Sequence, residues 1–267
     1  MTTVTEDIID LGEGVFGIVS QPAPDRRKSV GVIIFNSGIL HRPGPFRMHV
    51  RLARRLAELG YATLRFDFPG VGDSLPRAVR PPMQIVRDVL ERAQRHTGCA
   101  RFVVGGICSA ADMGWQLALE DERVAGVLLI DGLARHGRYH LLGRLLRAKH
   151  KSLEDWIDVV RRVVTRAKPP PTIETVENLR DWPAPGVERR ELRQLLDRGT
   201  ALFILFTGGT SYFLHPGQFH TTYGADARAA DVYFHYWPQC DHMMYSELDR
   251  ARFIEEFPSW LLTRFPA

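Results

Sequence analysis

The sequence has only three cysteines, Cys99, Cys108 and Cys240, in 267 residues, too few for a disulfide framework and fitting a reducing compartment. No apolar run approaches the roughly 18 residues needed to cross a bilayer, and the stretch from Met1 to Asp7 has neither the basic nor the apolar region of a secretory signal. A cytoplasmic protein without a membrane span is therefore expected. Lysine is scarce beside arginine, and the positive surplus is small, +4 with a pI near 9.1. It comes without any helix-turn-helix, zinc-finger or mixed aromatic and basic pattern, so no nucleic-acid partner is expected. With 45% hydrophobic and 25% charged residues, the chain is ordinary globular material, which excludes the disordered and fibrous classes.

Apolar runs of strand length alternate with amphipathic stretches. The runs are Val30 to Phe35, Tyr61 to Phe66, Arg101 to Gly105, Val124 to Ile130, Ala201 to Phe206 and Val232 to Trp237. Their near-continuous Val, Ile, Leu and Phe content predicts strands covered on both faces, as in a mostly parallel sheet flanked by helices. Gly14 to Ser20 reads as the edge strand of an opening hairpin. Helices are predicted over Pro45 to Leu59, Pro82 to Arg95, Cys108 to Glu120 and Glu247 to Leu262. About seventy residues separate Ile130 from Ala201, too many for a plain loop. They read as helical, through Leu141, Leu142, Leu145 and Leu146, through a capping box of Ser152 and Asp155 ahead of Trp156, and through Val187 to Arg198 stopped at Gly199. The expected organisation is a core of residues 1–132 and 200–267 carrying a helical cap of residues 133–199. A cap so placed would overlie the carboxyl ends of the strands, where open α/β sheets bind ligands.

The stretch Phe102-Val103-Val104-Gly105-Gly106-Ile107-Cys108-Ser109-Ala110 is the most informative. An apolar strand runs into a small-x-Cys-x-small turn and then a helix. A nucleophile held on so sharp a turn crowds the backbone on either side, and Gly106 and Ala110 relieve that crowding. Cys108 at the helix start would feel the dipole that favours a thiolate, next to amides free to donate to an oxyanion. A buried, inert thiol is the alternative reading of the same residue.

With strand, elbow, helix and mid-chain insertion in this order, the chain resembles the α/β-hydrolase superfamily. Asp67-Phe68-Pro69-Gly70-Val71-Gly72-Asp73-Ser74 is similar to its loop after the fourth strand, and Asp241-His242 to its catalytic-histidine loop. Asn36 to Pro45 with Arg47, together with Gly106-Ile107-Cys108-Ser109-Ala110, is similar to hydrolases associated with exosortase systems. Cysteine in place of the usual serine is shared with dienelactone hydrolases and polyhydroxyalkanoate synthases. The resemblance implies acyl transfer through a Cys108 thioester, by a thioesterase, an esterase or an acyltransferase, on a small-molecule acyl substrate.

On that footing His242 is the expected base. The superfamily usually supplies an acid after the strand ending here at Phe206, yet Thr207 to Tyr212 contains no carboxylate. Asp131, in Ile130-Asp131-Gly132, is the replacement candidate; a turn cap is its other reading, and a Cys-His dyad is workable without it. The amide of Ser109 and one in Gly38-Ile39 are the expected oxyanion donors. His41, Arg42 and Arg47 are candidates for a substrate carboxylate or phosphate, and Trp156 for a wall of the substrate site under the cap.

Asp67 and Asp73 are expected to hold their loop. The basic residues between Arg135 and Lys151 form either a solvated face or a surface for coenzyme A phosphates or an acyl carrier protein. His136 and His140 have helical metal-pair spacing, but Gly137 weakens that helix and no third ligand is evident, so neither metal nor cofactor is expected. A non-catalytic α/β-hydrolase scaffold that binds a ligand or partner is the rival reading, prompted by the missing acid.

Overall fold

A computed structural model describes residues 4–38, 40–75, 80–148 and 183–266. Eight strands form one sheet: β1 Thr5–Asp10, β2 Phe16–Gln21, β3 Val30–Ile34, β4 Thr63–Phe66, β5 Arg101–Ile107, β6 Val124–Ile130, β7 Ala201–Thr207 and β8 Val232–Trp237. Their order is β1-β2-β4-β3-β5-β6-β7-β8. The first two strands pair antiparallel with each other, and β2 pairs antiparallel with β4, while β3 to β8 run parallel. Gly14–Ser20 was expected at an edge, but β2 lies inside the sheet. The edge is β1, whose sequence Thr-Glu-Asp-Ile-Ile-Asp is exposed except at Ile9. Charge along an outer strand discourages pairing with another chain.

The described helices are α1 Met48–Glu58, α2 Pro82–Thr97, α3 Ser109–Glu120, α4 Arg138–Ala148, α5 Val187–Asp197, α6 Gly217–Tyr223 and α7 Glu247–Arg264. Successive residues of each central strand face opposite layers, as a pleated strand requires. Val104, Val127, Leu129 and Ile204 pack with α2, α3, α5 and α6. Val103, Leu128, Ile130 and Phe203 pack with α1 and α7. Each such side chain contributes about 1.5–3 kcal/mol on burial, which is why these runs contain so few polar residues.

The insertion between β6 and β7 is described at its two ends. α4 carries the expected leucines, and all four are exposed, Leu145 at 65%. α5 was grouped with the cap, yet Leu192 and Leu195 are fully buried in the core layer that also holds α3. It is the crossover helix leading into β7. The capping box at Ser152 and the side chain of Trp156 lie outside the described residues, as does Ile39.

Candidate active site

The carboxyl ends of neighbouring strands are spliced together by main-chain bonds that continue the ladder beyond it. Cys108 N–H donates to Ile130 O at 2.8 Å, Asp131 N–H to Leu205 O at 2.8 Å, and Gly208 N–H to Trp237 O at 2.9 Å. Three side chains are thereby set on rigid backbone: Cys108 after β5, Asp131 after β6, and His242 after β8.

Cys108 adopts φ 59°, ψ −121°, a conformation L-residues rarely occupy. The flanking small residues explain how the turn closes. A Cβ on Gly106 would stand 2.9 Å from Phe35 O, closer than real Cβ atoms approach, and a tight 3.0 Å from Ala110 Cβ. Cys108 is 8% exposed, against 1% for Cys99 and 2% for Cys240. Burial pushes the Cys99 thiol up. It pushes Cys240 up further, aided by Asp249, Asp241 and Asp131 nearby.

Asp131 is fully buried, and it too holds a positive φ, 52°, which a short polar side chain tolerates better than most. Its carboxylate accepts Thr207 N–H on Oδ1 at 2.6 Å and Thr207 Oγ1–H on Oδ2 at 2.7 Å. His242 Nδ1 lies 2.7 Å from Oδ2. Cys108 acts on the same ring from the elbow and, with Asp131, raises its pKa. Burial alone would lower the imidazole pKa, but the bonds and charges of Asp131 and Cys108 outweigh it and raise the value to about 9. An imidazole held between a carboxylate and a thiol, with Nδ1 committed to the carboxylate, has Nε2 left for the sulfur. That is the geometry of proton exchange with a nucleophile.

The histidine loop is braced independently. Asp241 accepts the Met243 and Tyr245 amides at 2.9 and 2.7 Å, and Arg250 donates to the Met244 and Tyr245 carbonyls at 2.7 and 2.6 Å. Gly209 packs against His242 N so closely that any Cβ there would clash.

Ser109 begins α3, so its N–H is among the first amides of that helix. Gly38 has φ 52°, and the space around its Cβ position is open. Ser37 and Ser109 hydroxyls meet at 3.2 Å, tying the loop after β3 to the elbow. Neither Ser37 nor Thr207 was singled out from the sequence, and neither was Tyr212, whose hydroxyl donates to Asp131 O at 2.5 Å. Each serves a partner more than seventy positions away, which periodicity does not reveal.

Arg42 stands differently from its expected place at the substrate. Its amide donates to Asp67 Oδ1 at 2.5 Å, its guanidinium pairs with Asp67 Oδ2 and, at 2.7 Å, with Asp73, and it lies over the Phe16 ring. It fastens the loops after β3 and β4 together, with Asp67 and Asp73 holding their loop as expected. Asp67 is fully buried, so Arg42→Ala would leave an uncompensated internal charge. The expected cost is about 3 kcal/mol, measured by urea unfolding, whereas exposed His41→Ala should change stability by less than about 0.5 kcal/mol. Arg47, also exposed, caps α1 with φ 61°.

His136 and His140 stack with ring centroids 4.0 Å apart. Among the described residues no group of three or more His, Cys, Asp or Glu side chains is arranged around a metal position, and no helix is long and apolar enough to cross a membrane.

Residues 31–175 match the family described by the alpha/beta hydrolase fold, more than half of the chain, and the protein belongs to that family. No curated protein sequence matches it. Among solved structures, it is similar to an α/β serine hydrolase without lid from Xanthomonas campestris, at 15% identity over 100% of this chain and 97% of that one, TM-score 0.55. It is also similar to an esterase from Pyrococcus furiosus, at 11% identity over 99% and 92%, TM-score 0.62, and to the esterase domain of a Rhodothermus marinus protein, at 14% identity over 97% and 98%, TM-score 0.55. At such identities the likeness is one of fold.

Proposed function

We propose that this protein is a cytoplasmic acyl-transfer enzyme in which Cys108 is the nucleophile, His242 the base and Asp131 the residue that orients the histidine. The observation that carries this reading is His242 held at 2.7 Å by a buried carboxylate, with the elbow thiol acting on the same ring. It weighs against the non-catalytic scaffold, because the acid missing after β7 is supplied from β6. The cysteine elbow and the Asn36 to Arg47 motif make it a cysteine-nucleophile member resembling the exosortase-associated hydrolases.

In the reaction the Cys108 thiolate attacks the acyl carbonyl carbon. The resulting oxyanion is met by the Ser109 amide and an amide of the Gly38-Ile39 loop. As the tetrahedral species collapses, the bond from carbon to the leaving group breaks and His242 gives that group its proton. The acyl group is then a thioester on Cys108; His242 takes the proton of an incoming acceptor as its oxygen or nitrogen bonds to the acyl carbon, the carbon–sulfur bond breaks, and Cys108 leaves as the thiolate beside the protonated His242. Water as acceptor makes a thioesterase or esterase; a hydroxyl or amine makes an acyltransferase. A thioester donor suits this site, since exchange of one thioester for another is nearly balanced, whereas a thioester formed from an oxygen ester lies uphill. Coenzyme A or an acyl carrier protein would supply such a donor. Of the four described cations expected to greet an acidic partner, three are engaged otherwise, Arg135 with Glu188, Arg138 over the Tyr139 ring and Arg147 with Gly208 O at 2.6 Å, which leaves Arg144 as the better place to test for one.

Intact-protein mass spectrometry after exposure to a panel of acyl thioesters and activated esters tests the reading. An acyl increment present in wild type and lost in Cys108→Ala is expected. Iodoacetamide at pH 7 should label Cys108 alone of the three thiols in the folded protein. Absence of both adduct and turnover from folded wild type across the panel would overturn the proposal.

A further inference from the structure

Behind the elbow helix, on the sheet face opposite α1 and α7, lies a cavity of about 370 Å³ between α3 and α5. Cys108, His242 and Asp131 are not among its described lining residues. Its walls are apolar and aromatic, chiefly Trp115, Tyr223, Leu129 and Leu133, while the charged groups that line it, including Asp112 and Glu191, are all carboxylates. No Lys or Arg is among the described lining residues.

The walls are fixed before anything binds. Trp115 donates its indole N–H to Glu191 at 2.8 Å, and Tyr223 donates its hydroxyl to Leu133 O at 2.9 Å. The two rings stand 5.6 Å apart, tilted by 50°. Two of the other carboxylates have cationic partners, Glu188 with Arg135 at 3.1 Å and Glu120 with Arg87. Among the described residues Glu191 is met by a neutral donor, the Trp115 indole N–H, so a carboxylate stands at the edge of one of the two rings. An apolar pocket of this size with a few placed polar groups is how small ligands are held, and an aromatic wall shared with carboxylates favours a cation over an anion.

We propose that this cavity binds an organic ammonium ion, a protonated amine carried on an apolar or aromatic body. An anion of the same shape is repelled, and a neutral analogue gains only the walls. The site is separate from the proposed acylation chemistry and can be read without it.

The experiment uses full-length Cys108→Ala protein, which removes any acyl chemistry, and three probes on one phenylethyl body: 2-phenylethylamine, the isosteric 2-phenylethanol, and the anion 3-phenylpropionate. Binding is followed at pH 7 by the NMR shift of the Trp115 indole N–H, assigned through Trp115→Phe. Saturable movement of that signal is expected, with the amine about tenfold tighter than the alcohol, the size of a charge-assisted hydrogen bond, and the carboxylate weaker than both. Glu191→Gln, which keeps an acceptor for the indole, should bring amine and alcohol to within about twofold. Equal affinities in the parent protein, a preference that survives Glu191→Gln, or no saturable shift of Trp115 would each overturn the proposal. Failure here leaves the acyl-enzyme reading untouched, because that reading is tested by the Cys108 adduct.

Discussion

Asp131→Asn is expected to lower kcat/KM with an acyl thioester by about 10²–10⁴-fold and to pull the alkaline limb of its pH profile to lower pH. The upper bound is the effect of the same substitution in serine triads, and a thiol nucleophile needs less help from its base. Two physical changes combine. The amide can offer its NH2 to His242 Nδ1, which favours the tautomer with the proton on the nitrogen facing Cys108. It also removes the charge and hydrogen bond that, together with Cys108, hold the imidazole pKa at about 9 against burial. In wild type the imidazolium keeps its proton, and so can protonate the leaving group, up to about pH 9; above that, acylation slows. Without Asp131, burial pulls the pKa down and the limb follows. A profile with its limb unmoved and a rate within about threefold of wild type would remove Asp131 from the proposed mechanism.

The same histidine links the site to stability. Its folded pKa is raised above the ordinary value of 6.5, so the stabilisation it brings is complete below about pH 6.5 and is lost as pH rises through about 9.

Cys108→Ala and Cys108→Gly should each lower turnover by at least about 10⁴-fold, as loss of a nucleophile does elsewhere. Their stabilities should differ in an unusual sense. Glycine normally destabilises relative to alanine by about 0.5–1 kcal/mol through its freedom in the unfolded chain. At φ 59°, ψ −121° alanine keeps the strain and glycine relieves it, worth about 1–3 kcal/mol. Cys108→Gly is therefore expected to be the more stable of the two by about 1 kcal/mol in urea unfolding. The usual order, alanine above glycine, would mean that the elbow relaxes once the thiol is gone.

The parallel strands could be read from the sequence because burial on both faces leaves an unbroken apolar run, and β6 and β8 fall where those runs lie. β1 could not, since only Ile9 of its six residues is buried and its partner β2 supplies the ordering. Cys108 and His242 announced themselves through local patterns, small residues around one and a late Asp-His pair for the other. Asp131 was suggested by the resemblance, as an acid at the end of the preceding strand that keeps the order nucleophile, acid, histidine, and its local sequence reads equally as a turn. What makes it a candidate acid is the distance from β6 to the loop after β8 and the two Thr207 bonds, and these exist only when β7 lies between those strands. α5 was misplaced for a related reason: a helix with buried Leu192 and Leu195 looks the same in sequence whether it covers the strand ends or crosses beside them.

The pair Gly208-Gly209 at the end of β7 limits how the site could be rebuilt. Any side-chain carbon at Gly208 would strike Pro238 O, and one at Gly209 would strike the His242 main chain, while Thr207 just before them grips the carboxylate of Asp131. The position from which the wider superfamily usually offers its acid is thus filled by the neighbouring loop. A designer who wished to place an aspartate at 208 or 209 would therefore have to rebuild the loop after β8 as well.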